Sequence, residues 1–127
     1  MSATATITYT DLHFTIKREY DQDPDLSWLE QTDAEMGDGF EQASKERIDA
    51  YNNGDWCMVG VIVNAWGTGP DGRVQGIAQE SIWGIESDSG NDYFSTIESD
   101  LMLECRSFLR SRYELTDDAM DAMPVTQ

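Results

Sequence analysis

Basic residues are scarce in this sequence. Its 127 residues include 25 acidic side chains against eight lysines and arginines, which gives a formal net charge of −17, and Lys17 and Lys45 are the only lysines. A field of this sign repels DNA, RNA and anionic membranes and attracts basic protein surfaces. We therefore expect no direct nucleic-acid or membrane binding. The expected partner is a basic nucleic-acid-binding protein or complex.

Residues that carry metal and redox chemistry are also few. The two cysteines, Cys57 and Cys105, have no repeated spacing and lie in apolar segments. This is typical of buried thiols rather than of a disulfide framework. His13 is the single histidine, and the sequence offers it no second ligand or catalytic partner. Phosphate-cradling and nucleophile motifs are missing as well. The sequence predicts no enzyme, no cofactor and no metal site.

The sequence patterns typical of a leader peptide and of a membrane-spanning segment are missing too. The first residues lack a basic region followed by an apolar one, and no apolar run approaches the length of a membrane span, so a cytoplasmic location is expected. A hydrophobic content of 39% with four tryptophans favours a folded chain over a disordered polyacid. We predict a single α+β domain over residues 1–115 and an acidic C-terminal tail over 116–127.

Hydrophobic periodicity predicts the element order β-α-α-β-β-α. The implied fold is a three-stranded antiparallel sheet packed by a long C-terminal helix. Strands are expected at 4–20, 55–66 and 73–86, the last two joined by a hairpin at 67–72. Helices are expected in the acidic connection 21–38, at 39–53 and at 91–113, with the polar residues 87–90 capping the last one.

The strand predicted at 55–66 is apolar on both faces. One face, Cys57 to Ala65 in alternation, is expected to pack against the long helix through residues such as Leu101. The other face is a candidate for self-association as a homodimer, unless the first helix or residues 26–29 cover it. The residues of this second face are Trp56, Met58, Ile62 and Trp66.

Glu98 lies inside the apolar arc of the long helix on a helical wheel. We expect it to pair with a base from the sheet. The alternative is a buried acid with a raised pKa. A calcium loop at 88–92 is rejected, because counting from Glu86 places glycine at the fifth position and Ile97 at the twelfth, where an EF-hand needs glycine at the sixth and glutamate at the twelfth.

Acidic residues form a dense run in the first third of the chain and a second cluster before the long helix. Since unpaired carboxylates are rarely buried, most of them are expected to face solvent. We predict that they bind the partner. These residues are Asp21, Asp23, Asp25, Glu30, Asp33, Glu35 and Asp38 in the run, and Asp88 and Asp92 in the second cluster.

Two strings carry a resemblance. Asp55-Trp56, followed later by WGIESDSG at 83–90, is similar to a pattern found in small acidic proteins of bacterial phages and other mobile elements. The resemblance covers roughly residues 54–110. It implies a tryptophan in the sheet followed by a capped helix. It also implies a host-cell context in which small acidic proteins, among them anti-restriction and anti-CRISPR families, inhibit defence complexes.

Two functions follow as hypotheses. The first is an acidic inhibitor that occupies the basic groove of a host defence nucleoprotein complex by imitating nucleic acid, since duplex DNA presents a phosphate about every 1.7 Å of its axis. The second is a non-enzymatic structural or assembly protein of a mobile element. In that case the acidity serves solubility or adaptation to high salt.

Overall fold

The computed structural model describes residues 9–127. The strand predicted from residue 4 therefore lies partly outside the described residues, and its described part is β1, Thr10–Tyr20. A 3₁₀ helix, Ser27–Glu30, and two α-helices follow. The helices are α1, Asp33–Met36, and α2, Phe40–Asn52.

The second half of the chain begins with two long strands, β2, Met58–Thr68, and β3, Val74–Glu86. The turn between them is closed by the Gly69 N–H, which donates to the Arg73 carbonyl at 2.9 Å. The longest helix is α3, Asn91–Tyr113, which ends at the predicted residue. A short helix α4, Asp117–Asp121, and a strand β4, Val125–Thr126, complete the described chain.

The prediction of an α+β fold with a long C-terminal helix is confirmed, but the sheet differs in detail. It is mixed and has four strands in the order β3-β2-β1-β4, rather than three antiparallel strands. β4 runs parallel to β1, with Phe14 opposite Val125 and Thr15 opposite Thr126. Two residues are too few to show strand periodicity, which is why the sequence did not predict β4.

The chain divides into two compact units. The sheet–helix unit comprises residues 9–19, Val61–Ile82 and Gly90–Gln127. Within it, α3 packs on β2, and the Cys105 thiol lies 3.6 Å from the Val63 carbonyl, to which it donates. The apolar arc of α3 is buried in part as its spacing predicts, whereas Tyr93 and Phe108 of the same apolar pattern are exposed. Its buried members are Phe94, Leu101, Cys105 and Leu109.

The segment that the sequence sets apart as an acidic tail contributes to the sheet–helix unit. Thr116 caps α4 by accepting from the Ala119 N–H at 3.1 Å. Met120 and Met123 are buried, and the Phe14 N–H donates to the Pro124 carbonyl at 2.8 Å. Arg106 pairs with Asp121 at 2.6 Å. Apolar burial and strand pairing therefore hold residues 117–126 against the rest of this unit.

The acidic unit comprises Tyr20–Gly60 and Trp83–Ser89. Its core is built from Leu29, Trp56 and Met58, and the 3₁₀ helix and α1 both contact α2. Partly buried hydrophobic side chains pack against this core, namely Leu26, Ile48, Ala50 and Tyr51. The indole N–H of Trp56 donates to the Arg47 carbonyl at 2.9 Å.

The predicted self-association face is therefore not an exposed patch. Trp56, Met58 and Ile62 are buried within the chain, and only Trp66 keeps partial exposure. Trp66 also donates its indole N–H to the Thr15 hydroxyl at 2.8 Å. A strand with two apolar faces can be covered by its own chain or by a partner, and sequence alone does not separate these cases. Here the chain itself covers most of this face.

Candidate acidic interaction surface

Negative charge is concentrated in the acidic unit. The two ranges that form it contain 13 of the 25 acidic residues but only two of the eight basic ones, Lys45 and Arg47. This gives the acidic unit a formal charge of −11 out of −17, although it holds fewer than half of the residues. The seven acids predicted in the run 21–38 all lie in this unit.

Some of the predicted acids accept hydrogen bonds from backbone N–H groups of their own loop. The Asp21 carboxylate accepts from the Asp23 N–H at 3.1 Å, and the Asp25 carboxylate accepts from the Ser27 N–H at 2.9 Å. Hydrogen bonds from the hydroxyl and the N–H of Ser27 hold the pKa of Asp25 below its ordinary value. Such turns are typical of aspartate, and they fix the path of the connection between β1 and the 3₁₀ helix.

Asp33 supports the start of α2. Its carboxylate accepts from the Glu41 N–H at 2.8 Å, across eight residues of sequence. The residue before α2 is Gly39, which has no side chain to cap the helix, so Asp33 satisfies one of the free N–H groups there. The neighbouring Glu35 accepts from the Thr32 hydroxyl at 3.2 Å. Asp33 is therefore a structural residue as well as a charged one.

Arg47 neutralises the second predicted cluster. Its guanidinium donates two hydrogen bonds to Asp88, both of 2.7 Å, and a third to Glu86. The guanidinium carbon also lies 3.8 Å from the centroid of the Trp56 ring, a cation–π contact. These hydrogen bonds lower the pKa of Asp88. Because its charge is already paired, Asp88 contributes less to an outward negative field than the sequence suggests.

The polar residues before α3 do not cap that helix as expected. The Ser87 hydroxyl accepts from the Cys57 N–H at 2.9 Å, and the Ser89 hydroxyl donates to the Glu86 carbonyl at 2.7 Å. α3 begins after Gly90 without a side-chain cap. Asp92, the other member of the second predicted cluster, belongs to the sheet–helix unit and is exposed in the first turn of α3. Ser87 and Ser89 instead hold the end of β3 within the acidic unit.

Three acids of the predicted run remain exposed and free of internal bonds. Among the described residues, the carboxylates of Asp23, Glu30 and Asp38 accept no hydrogen bond and form no ion pair. They lie in the loop after β1, in the 3₁₀ helix and in the turn before α2. They are the members of the predicted run whose charge is available to a partner.

Other exposed acids of this unit were missed as site residues. Glu41 and Asp49 lie on one face of α2, four residues to either side of Lys45, and Asp55 follows the helix. All three are exposed, and in the described part of the chain they accept no side-chain hydrogen bond. The i, i+4, i+8 spacing was readable from the sequence once the helix was placed.

Aromatic and apolar side chains near these acids in sequence are exposed. Tyr20, Trp28 and Met36 are among the exposed large hydrophobic residues, and each is within a few residues of a free or partly free carboxylate. Trp83 is 46% exposed, and its ring lies flat against Gly60. Tryptophan, tyrosine and methionine are enriched at protein interfaces, and aromatic rings bind arginine and lysine through their faces. The surface can therefore offer both charge and cation–π contacts.

Neither a metal centre nor a membrane helix is found in the described chain. Within residues 9–127, no group of three histidine, cysteine, aspartate or glutamate side chains is arranged to hold a metal ion. Over the same residues, no helix combines the length and apolarity needed to cross a membrane.

The two cysteines differ in their surroundings. Cys105 is fully buried, and burial raises the pKa of its thiol to about 11, while Cys57 is partly exposed. Both are free thiols. Cys105 is therefore a core residue with little thiolate at neutral pH.

No protein-family model matches this sequence, and comparisons with curated proteins and with solved structures also give no match. The resemblance of residues 54–110 to small acidic phage proteins thus stays a prediction.

Proposed function

We propose that this protein is a non-enzymatic acidic inhibitor that occupies the basic nucleic-acid-binding groove of a host defence complex, of the CRISPR or restriction type. The observation that carries the proposal is the segregation of charge. Thirteen acids and two bases are gathered in one compact unit, and one of the two bases, Arg47, is bound to Glu86 and Asp88. The outward field of this unit is therefore almost wholly negative.

The distribution of acids favours mimicry over general solubility. Acidity that serves only solubility or tolerance of salt has no reason to be concentrated in one part of the chain. The sheet–helix unit holds six of the eight bases, and two of them, Arg106 and Arg110, pair with the acids Asp121 and Asp117. The acidic unit instead keeps the exposed carboxylates of Asp23, Glu30 and Asp38, which form no ion pair among the described residues.

Rigid support favours mimicry over a flexible polyacid. The 3₁₀ helix and α1 contact α2, and the Asp33 hydrogen bond to Glu41 joins α1 to the start of α2. Carboxylates on these elements, such as Glu30 on the 3₁₀ helix and Glu41 and Asp49 on α2, are held in place before binding, so less side-chain and loop entropy is lost on association. The alternative of an assembly protein is weakened, because three of the four side chains of its proposed contact face are buried.

The test is competition for DNA binding. A panel of purified CRISPR effector complexes and restriction enzymes is incubated with this protein, and binding of target DNA is measured by gel shift at low and high salt. Inhibition should weaken steeply as salt rises, because exposed charges are screened within about 10 Å at 0.1 M. A ternary complex that contains target, protein and bound DNA would contradict mimicry.

Charge reversal with a matched control sharpens the test. Changing Asp23, Glu30 and Asp38 together to lysine should abolish inhibition and leave thermal unfolding nearly unchanged, since these side chains have no internal partner among the described residues and exposed charges add little stability. The control reverses three exposed acids of the sheet–helix unit, giving the same change in net charge. The control positions are Asp100, Glu104 and Asp118. An equal loss of inhibition in the two triple variants would refute a localised acidic site.

A further inference from the structure

One edge of strand β1 is only partly paired. β4 pairs with it at Phe14 and Thr15 alone, whereas β1 continues to Tyr20. The Phe14 N–H points to the β4 side, where it donates to the Pro124 carbonyl at 2.8 Å. Backbone groups of alternate residues face the same edge of a strand, so those of Ile16 and Arg18 also face this side. Beyond β4, no described strand lies along this edge.

A groove lies beside this open edge. It has a volume of about 440 Å³ and runs along one stripe of α3, from Ser95 to Arg106. β1 lines it through Ile16, the residue after the last paired one, and Gln127, which follows β4, lines it too. The side chains that give the groove its character are the apolar Met102 and Leu103 and the acid Glu98. The one base in its lining, Arg106, is already paired with Asp121. Leu103 is 64% exposed although it is an apolar residue in mid-helix.

Glu98 gives the groove a negative group. Its side chain is only 13% exposed, and its nearest base is Arg18 on β1 at 3.8 Å, as the sequence predicted for a base from the sheet. The Arg18 guanidinium is also held over the Phe94 ring, with its carbon 3.8 Å from the ring centroid. This ion pair is long and partly solvated, so Glu98 can accept a hydrogen bond from a further cation.

We propose that an extended, basic peptide segment of a partner protein adds to the open edge of β1 as a strand, with its alternate side chains in this groove. Strand addition satisfies edge N–H and C=O groups, and pockets for alternate side chains give it specificity. Glu98 selects a lysine or arginine on the groove side, and Met102 and Leu103 select apolar neighbours. A second copy of this chain is a poorer occupant, because each copy carries a net charge of −17.

This strand site is separate from the proposed acidic surface. Every residue that carries it belongs to the sheet–helix unit, and its main contacts are backbone hydrogen bonds and apolar side chains. Charge reversal at Asp23, Glu30 and Asp38 should leave peptide binding unchanged. Failure of one proposal therefore leaves the other standing.

The probe is a fluorescein-labelled peptide of about eight residues, a usual strand length. In the peptide sequence, threonines alternate with a valine, a lysine and a second valine, and these three side chains are meant to face the groove. Fluorescence anisotropy should show saturable binding to the full chain, and the Arg18 amide should become protected from hydrogen exchange. A peptide N-methylated at alternate residues should bind at least about ten-fold more weakly, because it loses strand hydrogen bonds. Replacing the central lysine of the peptide with glutamate should also weaken binding.

Variants of the protein complete the test. Leu103→Ala should weaken peptide binding on the order of ten-fold through lost apolar contact. Glu98→Gln should remove the preference for lysine over glutamate in the peptide. Phe108→Ala is the matched control, since Phe108 is an exposed apolar residue of the same helix that does not line the groove.

Several results would overturn the proposal. One is the absence of saturable binding of the parent peptide below about 1 mM, the weak end of specific affinity. Another is equal binding of the N-methylated and the parent peptides. A third is an equal loss of peptide binding in Leu103→Ala and Phe108→Ala. A dimer of the free chain that the peptide dissociates would identify a second copy as the occupant, which also overturns it.

Discussion

Replacing Arg47 with methionine tests how the acidic unit tolerates its own charge. The wild-type guanidinium binds both oxygens of Asp88 at 2.7 Å, contacts Glu86 and lies on the Trp56 ring. Methionine keeps an unbranched side chain for packing on the indole but removes every donor. Two carboxylates that shared one cation are then left near each other without it.

The expected loss is moderate because the pair is partly solvated. Hydrogen bonds to charged groups contribute about 1.5–3 kcal/mol when well shielded. The Asp88 side chain is 49% exposed and that of Arg47 is 27% exposed, so solvent screening reduces this value. We expect a decrease of about 1–2 kcal/mol in the free energy of unfolding at pH 7.

The loss of stability in Arg47→Met should depend on pH. The hydrogen bonds from Arg47 hold the pKa of Asp88 below its ordinary value of 3.8 in the folded chain. The stability gained from this group is therefore present above pH 3.8 and is lost as pH falls through the lower, folded pKa. The gap between wild type and Arg47→Met should be largest at neutral pH and should shrink below about pH 3.8.

Urea unfolding at several pH values measures this gap. Arg73→Met is the matched control, because Arg73 is 85% exposed and lies 4.0 Å from Asp71, a pair expected to contribute little. A gap that stays constant from neutral to acid pH would refute the electrostatic reasoning. It would show that Arg47 acts only through packing on Trp56.

Two further predictions concern packing. Leu101→Ala should cost about 2–5 kcal/mol in thermal or chemical unfolding, because Leu101 is buried in the arc of α3, whereas exposed Leu103→Ala should stay within about 0.5 kcal/mol. Gly60→Ala should displace the Trp83 ring, because the new methyl group would lie 2.4 Å from it, and the tryptophan fluorescence should shift. The control Gly76→Ala should be tolerated, because the nearest atom to its methyl group would lie 3.7 Å away.

The long, periodic elements could be predicted from the sequence. The helix predicted at 91–113 and the strands predicted at 55–66 and 73–86 correspond to α3, β2 and β3. Each has enough residues for its hydrophobic periodicity to be distinguished from a chance pattern. β4 has two residues, and its pairing with β1 depends on a contact more than 100 residues away in sequence. Local pattern carries no signal for such a contact.

The acidic run was visible in the sequence, but the availability of each carboxylate was not. Asp33 is engaged by an N–H eight residues away, and Asp88 by an arginine 41 residues away. Asp23 and Asp38 are exposed and have no such partner among the described residues. The sequence provides the charge, and tertiary contacts decide which part of it faces a partner. The same reasoning explains Trp56 and Met58, which are buried against Leu29 in the core of the acidic unit.

The two proposed sites differ in the physical basis of recognition, and salt separates them. Binding at Asp23, Glu30 and Asp38 depends on exposed side-chain charge, so its affinity should fall steeply between low and physiological ionic strength. Strand addition at β1 depends chiefly on backbone hydrogen bonds and on contact with Leu103, and only its preference for a basic residue at Glu98 depends on charge. A partner released by salt and insensitive to Leu103→Ala binds the acidic surface. A partner that resists salt and is lost with Leu103→Ala binds the strand edge.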